Sequence, residues 1–181
     1  MRGVAKIAVT ATICTTLALT STARAAGVTL ADLQAATRSL GFLDTLQNRS
    51  TIFIGVVYGA GVRDGKNSAA QTAGALTAMH GPGSSTIRAS IVTVDELAQN
   101  AQHFDALYVM PGATANGAQI ADAVRRQHIV SISSDPACLD AKCCVLMVQA
   151  GSSVNIVLDM ALAAAADAQF SSVFTMMVKR R

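Results

Sequence analysis

The chain has 181 residues, a formal net charge of +3 and no tryptophan, and only 4% of its residues are aromatic. This length suits one domain with one core, and the scarcity of aromatic platforms disfavours a sugar-binding cleft. Without Arg2, Lys6 and Arg24, the 14 basic residues fall to 11, against 11 acidic residues. That balance argues against a nucleic-acid partner and against an electrostatically bound membrane surface. The basic cluster at Lys179-Arg180-Arg181 is interpreted as a solvated tail.

The N-terminal residues have the three-part layout of a secretory signal peptide. Arg2 and Lys6 give a positive start, residues 7–19 are largely apolar, and the segment closes on Ala23-Arg24-Ala25. The apolar run is shorter than the roughly 20 residues of a spanning helix. We therefore predict a signal peptide at residues 1–25, cleavage between Ala25 and Ala26, and an exported periplasmic domain over residues 26–181. The alternative is a buried N-terminal helix.

After this segment, predicted strands alternate with predicted helices. Leucines spaced by about three and seven predict an amphipathic helix over residues 28–48, with Thr29 as its cap. Apolar and β-branched runs predict strands at 51–58, 87–94, 106–110 and 128–132, and a hairpin of 144–149 with 154–158. Helices are predicted at 68–80, from Asp95, at 115–127 and at 160–168, and residues 170–179 form an apolar element of either type. This order predicts a single α/β domain: a mainly parallel, Rossmann-like sheet flanked by helices, with a late antiparallel hairpin.

A glycine-rich loop follows the first strand, yet it lacks the GxGxxG fingerprint and the lysine of a phosphate-binding loop. Dinucleotide binding is therefore disfavoured, and no cofactor is predicted. Open parallel sheets leave a crevice at the carboxyl ends of their strands. We expect any ligand pocket there, with Arg63 as its cation. The predicted pocket residues are Gly59, Gly61, Arg63, Gly112, Ser134 and Asp135.

Three cysteines follow the predicted cleavage site, and an exported protein meets an oxidising compartment. An odd number indicates one disulfide and one thiol. A bond between the adjacent Cys143 and Cys144 would be strained, so Cys138 is expected to pair with one of them. We favour a Cys138–Cys144 disulfide with Cys143 as a free thiol, and Cys138–Cys143 stays open. A strand starting near Lys142 would point the two adjacent cysteines to opposite faces.

No catalytic or metal-binding signature stands out. A Gly-x-Ser-x-Gly elbow is missing, and Ser133-Ser134-Asp135-Pro136 is more typical of a turn. His80, His103 and His128 have no ligand spacing, so no metal site is predicted. The chain is therefore predicted not to be an enzyme. The less favoured alternative, an exported enzyme or redox protein, predicts a perturbed thiol at Cys143.

Several segments of the second half carry a family resemblance. They are residues 104–109 (FDALYV), 128–135 (HIVSISSD), 144–148 (CVLMV), 154–158 (VNIVL), 161–165 (ALAAA) and 170–172 (FSS). In these the chain resembles the YfiR-like (DUF4154) family of exported bacterial proteins. It departs from the family at Cys143-Cys144, where members commonly have a Gly-Gly step, and it lacks an aromatic-rich start to the first helix.

The resemblance implies a periplasmic protein without catalysis. Some members bind the external domain of an inner-membrane diguanylate cyclase and restrain it, and their disulfide state affects their stability or activity. We therefore expect a regulatory protein with a membrane-anchored sensor as its partner, with an exposed apolar patch and a homodimer. The alternative is a periplasmic small-ligand-binding protein with a deep pocket at the carboxyl ends of the strands.

Overall fold

The computed structural model of the chain describes residues 27–181. The predicted signal peptide and its cleavage site lie outside these residues. Within residues 27–181, none of the helices combines the length and the apolar character that crossing a membrane requires.

Seven strands and seven helices make up the described chain. The strands are β1 (Thr51–Tyr58), β2 (Thr86–Thr93), β3 (Ala106–Val109), β4 (Val130–Ser133), β5 (Leu146–Ala150), β6 (Val154–Leu158) and β7 (Lys179–Arg180). The helices are α1 (Leu30–Leu40), α2 (Gly65–Thr77), α3 (Val94–Asn100), α4 (Gly117–Gln127), α5 (Ala137–Asp140), α6 (Met160–Ala165) and α7 (Ser172–Met177). The predicted strands, and the hairpin turning near Gly151, are therefore confirmed within a few residues at each end.

All seven strands form one sheet in the order β2-β1-β3-β4-β5-β6-β7. Strands β2, β1, β3, β4 and β5 are parallel to one another, β6 pairs antiparallel with β5, and β7 runs parallel to β6. Every residue of β3 and β4 is buried, as expected of central strands covered on both faces. The predicted α/β fold with a late antiparallel hairpin is confirmed.

The strand order places a crevice above β1 and β3. The chain leaves β1 toward β2 on one side and then returns to form β3 on the other side of β1. Successive connections therefore leave the carboxyl ends of these two neighbours in opposite directions, which opens a gap at that edge of the sheet. Helix α2 packs on β1 and β2 and contacts α1, whereas α3 contacts α4. Because parallel crossovers are right-handed, these two pairs cover opposite faces.

The first helix is shorter than its leucine spacing predicts. Thr29 forms a capping box with Asp32, as expected of the N-cap, but α1 ends at Leu40 and not near residue 48. A short 3-10 turn follows at Asp44–Leu46. Leu43 and Leu46 are nevertheless only 2% exposed. The spacing of these two leucines therefore reports burial against the core in a segment that is not α-helical.

Candidate ligand cleft

A cleft of about 380 Å³ lies above the crevice between β1 and β3. Helix α1 forms one wall, helix α2 forms the other, and the ends of the two strands form the floor. It is lined by Gly27, Val28, Leu30, Leu33, Tyr58, Gly59, Val62, Arg63, Gly65, Ser68, Gln71, Thr72, Ala75, Met110 and Pro111. The volume falls within the range of small-molecule sites.

The local folding of three segments positions this lining. Strand β1 ends at Tyr58, the chain turns through Gly59 and Val62, and α2 begins only a few residues later at Gly65. The backbone N–H of Val62 donates to the Gly59 carbonyl, and that of Gly65 donates to the Val62 carbonyl. These two short bonds hold the loop close to the strand end. The first turns of α2 therefore face the crevice.

The charge and hydrogen-bonding capacity of the cleft favour an anion. No aspartate or glutamate is among its lining residues, and within residues 27–181 Arg63 forms no ion pair. Thr72 is only 6% exposed, and its side chain makes no hydrogen bond to the described part of the chain. The N-cap of α2 is Asp64, whose side chain makes no capping hydrogen bond. An unpaired cation and a free hydroxyl suit a negatively charged group, beside an apolar wall of valine, leucine and methionine.

The structure brings together some of the predicted pocket residues and separates others. Gly59 and Arg63 line the cleft. Gly61 lies in the same loop and Gly112 follows Pro111, but neither lines the cavity. Gly112 has a backbone φ of +86°, and a Cβ there would lie 3.2 Å from the Val62 side chain. Its role on this rim is thus conformational, since only glycine adopts such a φ freely.

Ser134 and Asp135 follow β4 and are not among the cleft residues. The hydroxyl of Tyr108 donates to Ser134 Oγ at 3.2 Å, and the Ala137 N–H donates to Asp135 Oδ1 at 3.0 Å. Burial raises the pKa of Tyr108 well above its usual value, and the Ser134 hydrogen bond opposes this effect. Ser134 and Asp135 thus form hydrogen bonds in and beside the turn that leads from β4 into α5.

The walls contributed by α1 and α2 were missed by sequence reasoning. The periodicity of α1 predicts a helix but says nothing about which strand ends the helix covers. The Ser68, Gln71 and Thr72 positions carry a usable signal, because they repeat at a spacing of three to four on α2. That spacing places the three polar side chains on one side of a helix that follows directly after the strand.

The three cysteines form a buried cluster of thiols. Cys138, Cys143 and Cys144 are each 0% exposed, and no disulfide joins any two of them in the structure. Burial is the main cause of a strongly raised Cys138 pKa, and hydrogen bonds with the Cys143 and Cys144 thiols add to it. A buried thiol of this kind behaves as a small hydrophobe and is a poor nucleophile.

The strand that was expected to point the two adjacent cysteines to opposite faces does not form at these residues. Strand β5 begins at Leu146 and not near Lys142, so the alternation of a strand does not apply to the two adjacent cysteines. Lys142 has a positive φ of 53°, and the chain reverses there. The choice of Cys144 over Cys143 as the disulfide partner of Cys138 stays a prediction. Within residues 27–181, the cysteine cluster included, no group of three or more His, Cys, Asp or Glu side chains is placed to hold a metal ion.

Comparison with solved structures shows the same fold in two proteins of very different sequence, and a third structure has a lower similarity. The ABC domain from Streptococcus pneumonia, solved in complex with L-Trp, has a TM-score of 0.54 at 10% identity and is matched over 83% of this chain and 60% of its own. A conserved domain protein from Vibrio cholerae has a TM-score of 0.53 at 12% identity, over 75% of this chain and 55% of its own. A ligand-free, open substrate-binding protein with adhesive properties from Clostridium difficile has a TM-score of 0.48 at 11% identity, over 72% and 54%.

This chain thus spans little more than half the length of those three proteins, and at such identities the likeness is one of fold alone. No curated protein matches the sequence.

A family model described as YfiR/HmsC-like matches residues 65–177, from the first residue of α2 to the last residue of α7. The match covers more than half of the chain, includes the six segments of the second half that carry the resemblance, and supports a periplasmic regulatory role. The chain belongs to the YfiR/HmsC-like (DUF4154) family.

Proposed function

We propose that this chain is a periplasmic, non-catalytic regulatory protein that binds the external domain of a membrane-anchored sensor, such as a diguanylate cyclase. The family match over residues 65–177 carries the proposal. The buried, poorly nucleophilic thiols are consistent with a binding role. A soluble domain that binds one conformation of a sensor more tightly than the other shifts the sensor toward that conformation. Regulation of this kind needs no reactive group.

The test compares the exported chain with a matched chain confined to the cytoplasm. In the native bacterium lacking the gene, the full chain should lower the cyclic di-GMP level, and a chain starting at residue 26 after a new Met should not. Mass spectrometry of the periplasmic protein should give an N-terminus at Ala26. Equal effects of the two chains, or an unchanged cyclic di-GMP level with the exported one, would contradict the proposal.

A second candidate function is the binding of a small ligand, and the cleft between α1 and α2 favours it. Its uncompensated Arg63, the free Thr72 hydroxyl and the apolar wall suit a compact carboxylate or phosphate with an apolar body. The unpaired guanidinium is the one cation among the residues of this cleft.

Matched pairs of ligands test this second candidate. Small aromatic and branched carboxylates should raise the melting temperature, whereas the corresponding neutral amides should not. The Arg63→Ala variant should lose the effect, and Arg88→Ala should keep it, because Arg88 is exposed near the start of β2, at the end of the sheet away from the cleft. Equal stabilisation by acid and amide, or an unchanged response of Arg63→Ala, would show that the cleft does not select anions through this residue.

A further inference from the structure

Helix α7 presents an apolar face that the described chain leaves uncovered. Val173, Met176 and Met177 are 55%, 76% and 65% exposed. Their spacing of three and four residues places them on one side of the helix. Phe174, in the same helix, is buried and stacks on Phe42 with ring centroids 4.9 Å apart. This anchor holds the helix against the domain, so the exposure of the other three side chains is a fixed feature of the surface.

A basic segment follows the apolar face directly. Lys179 and Arg180 form the edge strand β7, and both are exposed. Arg181 pairs with Asp140 at 3.0 Å, an ion pair in which both side chains remain largely in solvent. Helix α7 itself contains no acidic residue. The whole chain after the predicted cleavage is balanced in charge, but this edge of the sheet combines apolar side chains with a local positive charge.

The size and charge of this surface argue against a second copy as its occupant. A two-fold dimer would place the same basic segment on both sides of one interface, because each partner contributes the same patch. Stable protein–protein interfaces also use about 20–30 residues a side, far more than three side chains. Binding to a lipid surface needs no large interface and brings no second basic segment into the contact. A few apolar side chains insert shallowly, and lysine and arginine are attracted to the anionic headgroups.

We propose that the exposed face of α7 and the basic residues Lys179 and Arg180 dock the protein on an anionic membrane surface. The methionines enter the headgroup boundary and the two cations lie against the lipid phosphates. This docking goes beyond the proposed regulatory role: it would hold the protein at the surface where a membrane-anchored sensor displays its external domain. The restriction to two dimensions raises the effective concentration of the two proteins without any new contact between them.

Vesicle co-sedimentation of the mature periplasmic protein tests the docking. The protein should sediment with phosphatidylcholine vesicles that contain phosphatidylglycerol, and not with pure phosphatidylcholine, and added salt should release it. Replacing Met176 and Met177 by serine together, or Lys179 and Arg180 by serine together, should weaken the lipid affinity at least about tenfold. All four side chains are exposed, so the melting temperature should change little.

Two controls separate this surface from exposed apolar and basic residues in general. Phe53→Ser removes a side chain that is 45% exposed on β1, and Arg88→Ser removes a cation at the opposite edge of the sheet. Both should bind vesicles as the unaltered protein does. Equal binding to neutral and anionic vesicles, or equal losses in the controls, would overturn the proposal. The proposal would also be overturned if the unaltered protein did not bind vesicles and the methionine variant instead lost a dimer in solution or a complex with the sensor.

Discussion

Removal of the Asp32 carboxylate should destabilise the domain more than loss of an ordinary helix cap. Asp32 is 6% exposed, and its Oδ2 accepts from the Thr29 N–H at 2.9 Å and the Thr29 hydroxyl at 2.7 Å. Its Oδ1 accepts from the Ala150 N–H at 2.7 Å, which ties α1 to the end of β5, 118 residues away in sequence. One carboxylate therefore serves as part of a local cap and as a tertiary link.

The two roles give separate energies for the Asp32→Ala variant. Loss of a cap costs about 1 kcal/mol, and a donor left without its acceptor costs roughly 1–3 kcal/mol, toward the lower end here because Ala150 is only half-buried. We expect a total of about 2–3 kcal/mol in urea unfolding. Thr29→Ala should cost about 1 kcal/mol, since the Ala150 bond survives.

Asp95→Ala is the matched control, because Asp95 is an exposed acidic residue in the first turn of α3 whose side chain makes no hydrogen bond to the described residues. It should cost less than about 0.5 kcal/mol. If Asp32→Ala costs no more than Thr29→Ala, the link to β5 contributes nothing and the reasoning is wrong.

Three further outcomes are expected. Ile54→Ala, at a strand position that is 3% exposed, should cost roughly 2–5 kcal/mol in urea melts, and a loss below about 1 kcal/mol would place it outside the core. Hydrogen bonds from Thr93 lower the pKa of Glu96, so the stability contributed by the Glu96 carboxylate is present above the ordinary glutamate pKa and is lost as the pH falls through the lowered pKa. The difference in unfolding free energy between the unaltered protein and Glu96→Gln should therefore shrink on acidification below about pH 4. A difference that stays constant with pH would refute the assignment. Non-reducing peptide mapping of periplasmic protein should give a Cys138–Cys144 peptide, whereas three free thiols would remove the disulfide; in reduced, folded protein the raised Cys138 pKa should make alkylation slow until the chain unfolds.

Much of the architecture follows from sequence because burial leaves a local pattern. The run TIFIGVVY predicts β1, and β1 has the same bounds in the structure. The alternation of strands and helices predicts a parallel sheet, since parallel neighbours need crossover connections. Thr29 is predicted as the cap of α1 and forms it, in a capping box with Asp32, because such a cap depends on residues only three positions apart.

The errors arise where a pattern has more than one physical cause. Leucine spacing signals burial on one face and does not require the backbone to stay helical, so α1 stops at Leu40 while Leu43 and Leu46 remain in the core. The cysteine segment was treated as strand because it is apolar. The chain instead reverses at Lys142, before β5 begins at Leu146, and no local rule foretells such a reversal at a lysine.

One part of the candidate site could be predicted from the sequence by itself, and the other part was decided only by the tertiary structure. The glycine-rich loop after the first strand and the alternation of strands with helices were enough to place Gly59 and Arg63 at the carboxyl edge of the sheet, because that edge is a property of parallel topology. The sequence could not show that Ser134 and Asp135 lie outside the cleft that Gly59 and Arg63 line. It also could not show that α1 and α2 form the walls of that cleft. Those depend on which helices pack over the gap between β1 and β3, and that packing is fixed by contacts such as Asp32 with Ala150, between residues far apart in the chain. Local preference determined the elements of this protein, and long-range packing decided which of their side chains share a cleft and which, like those of α7, stay uncovered.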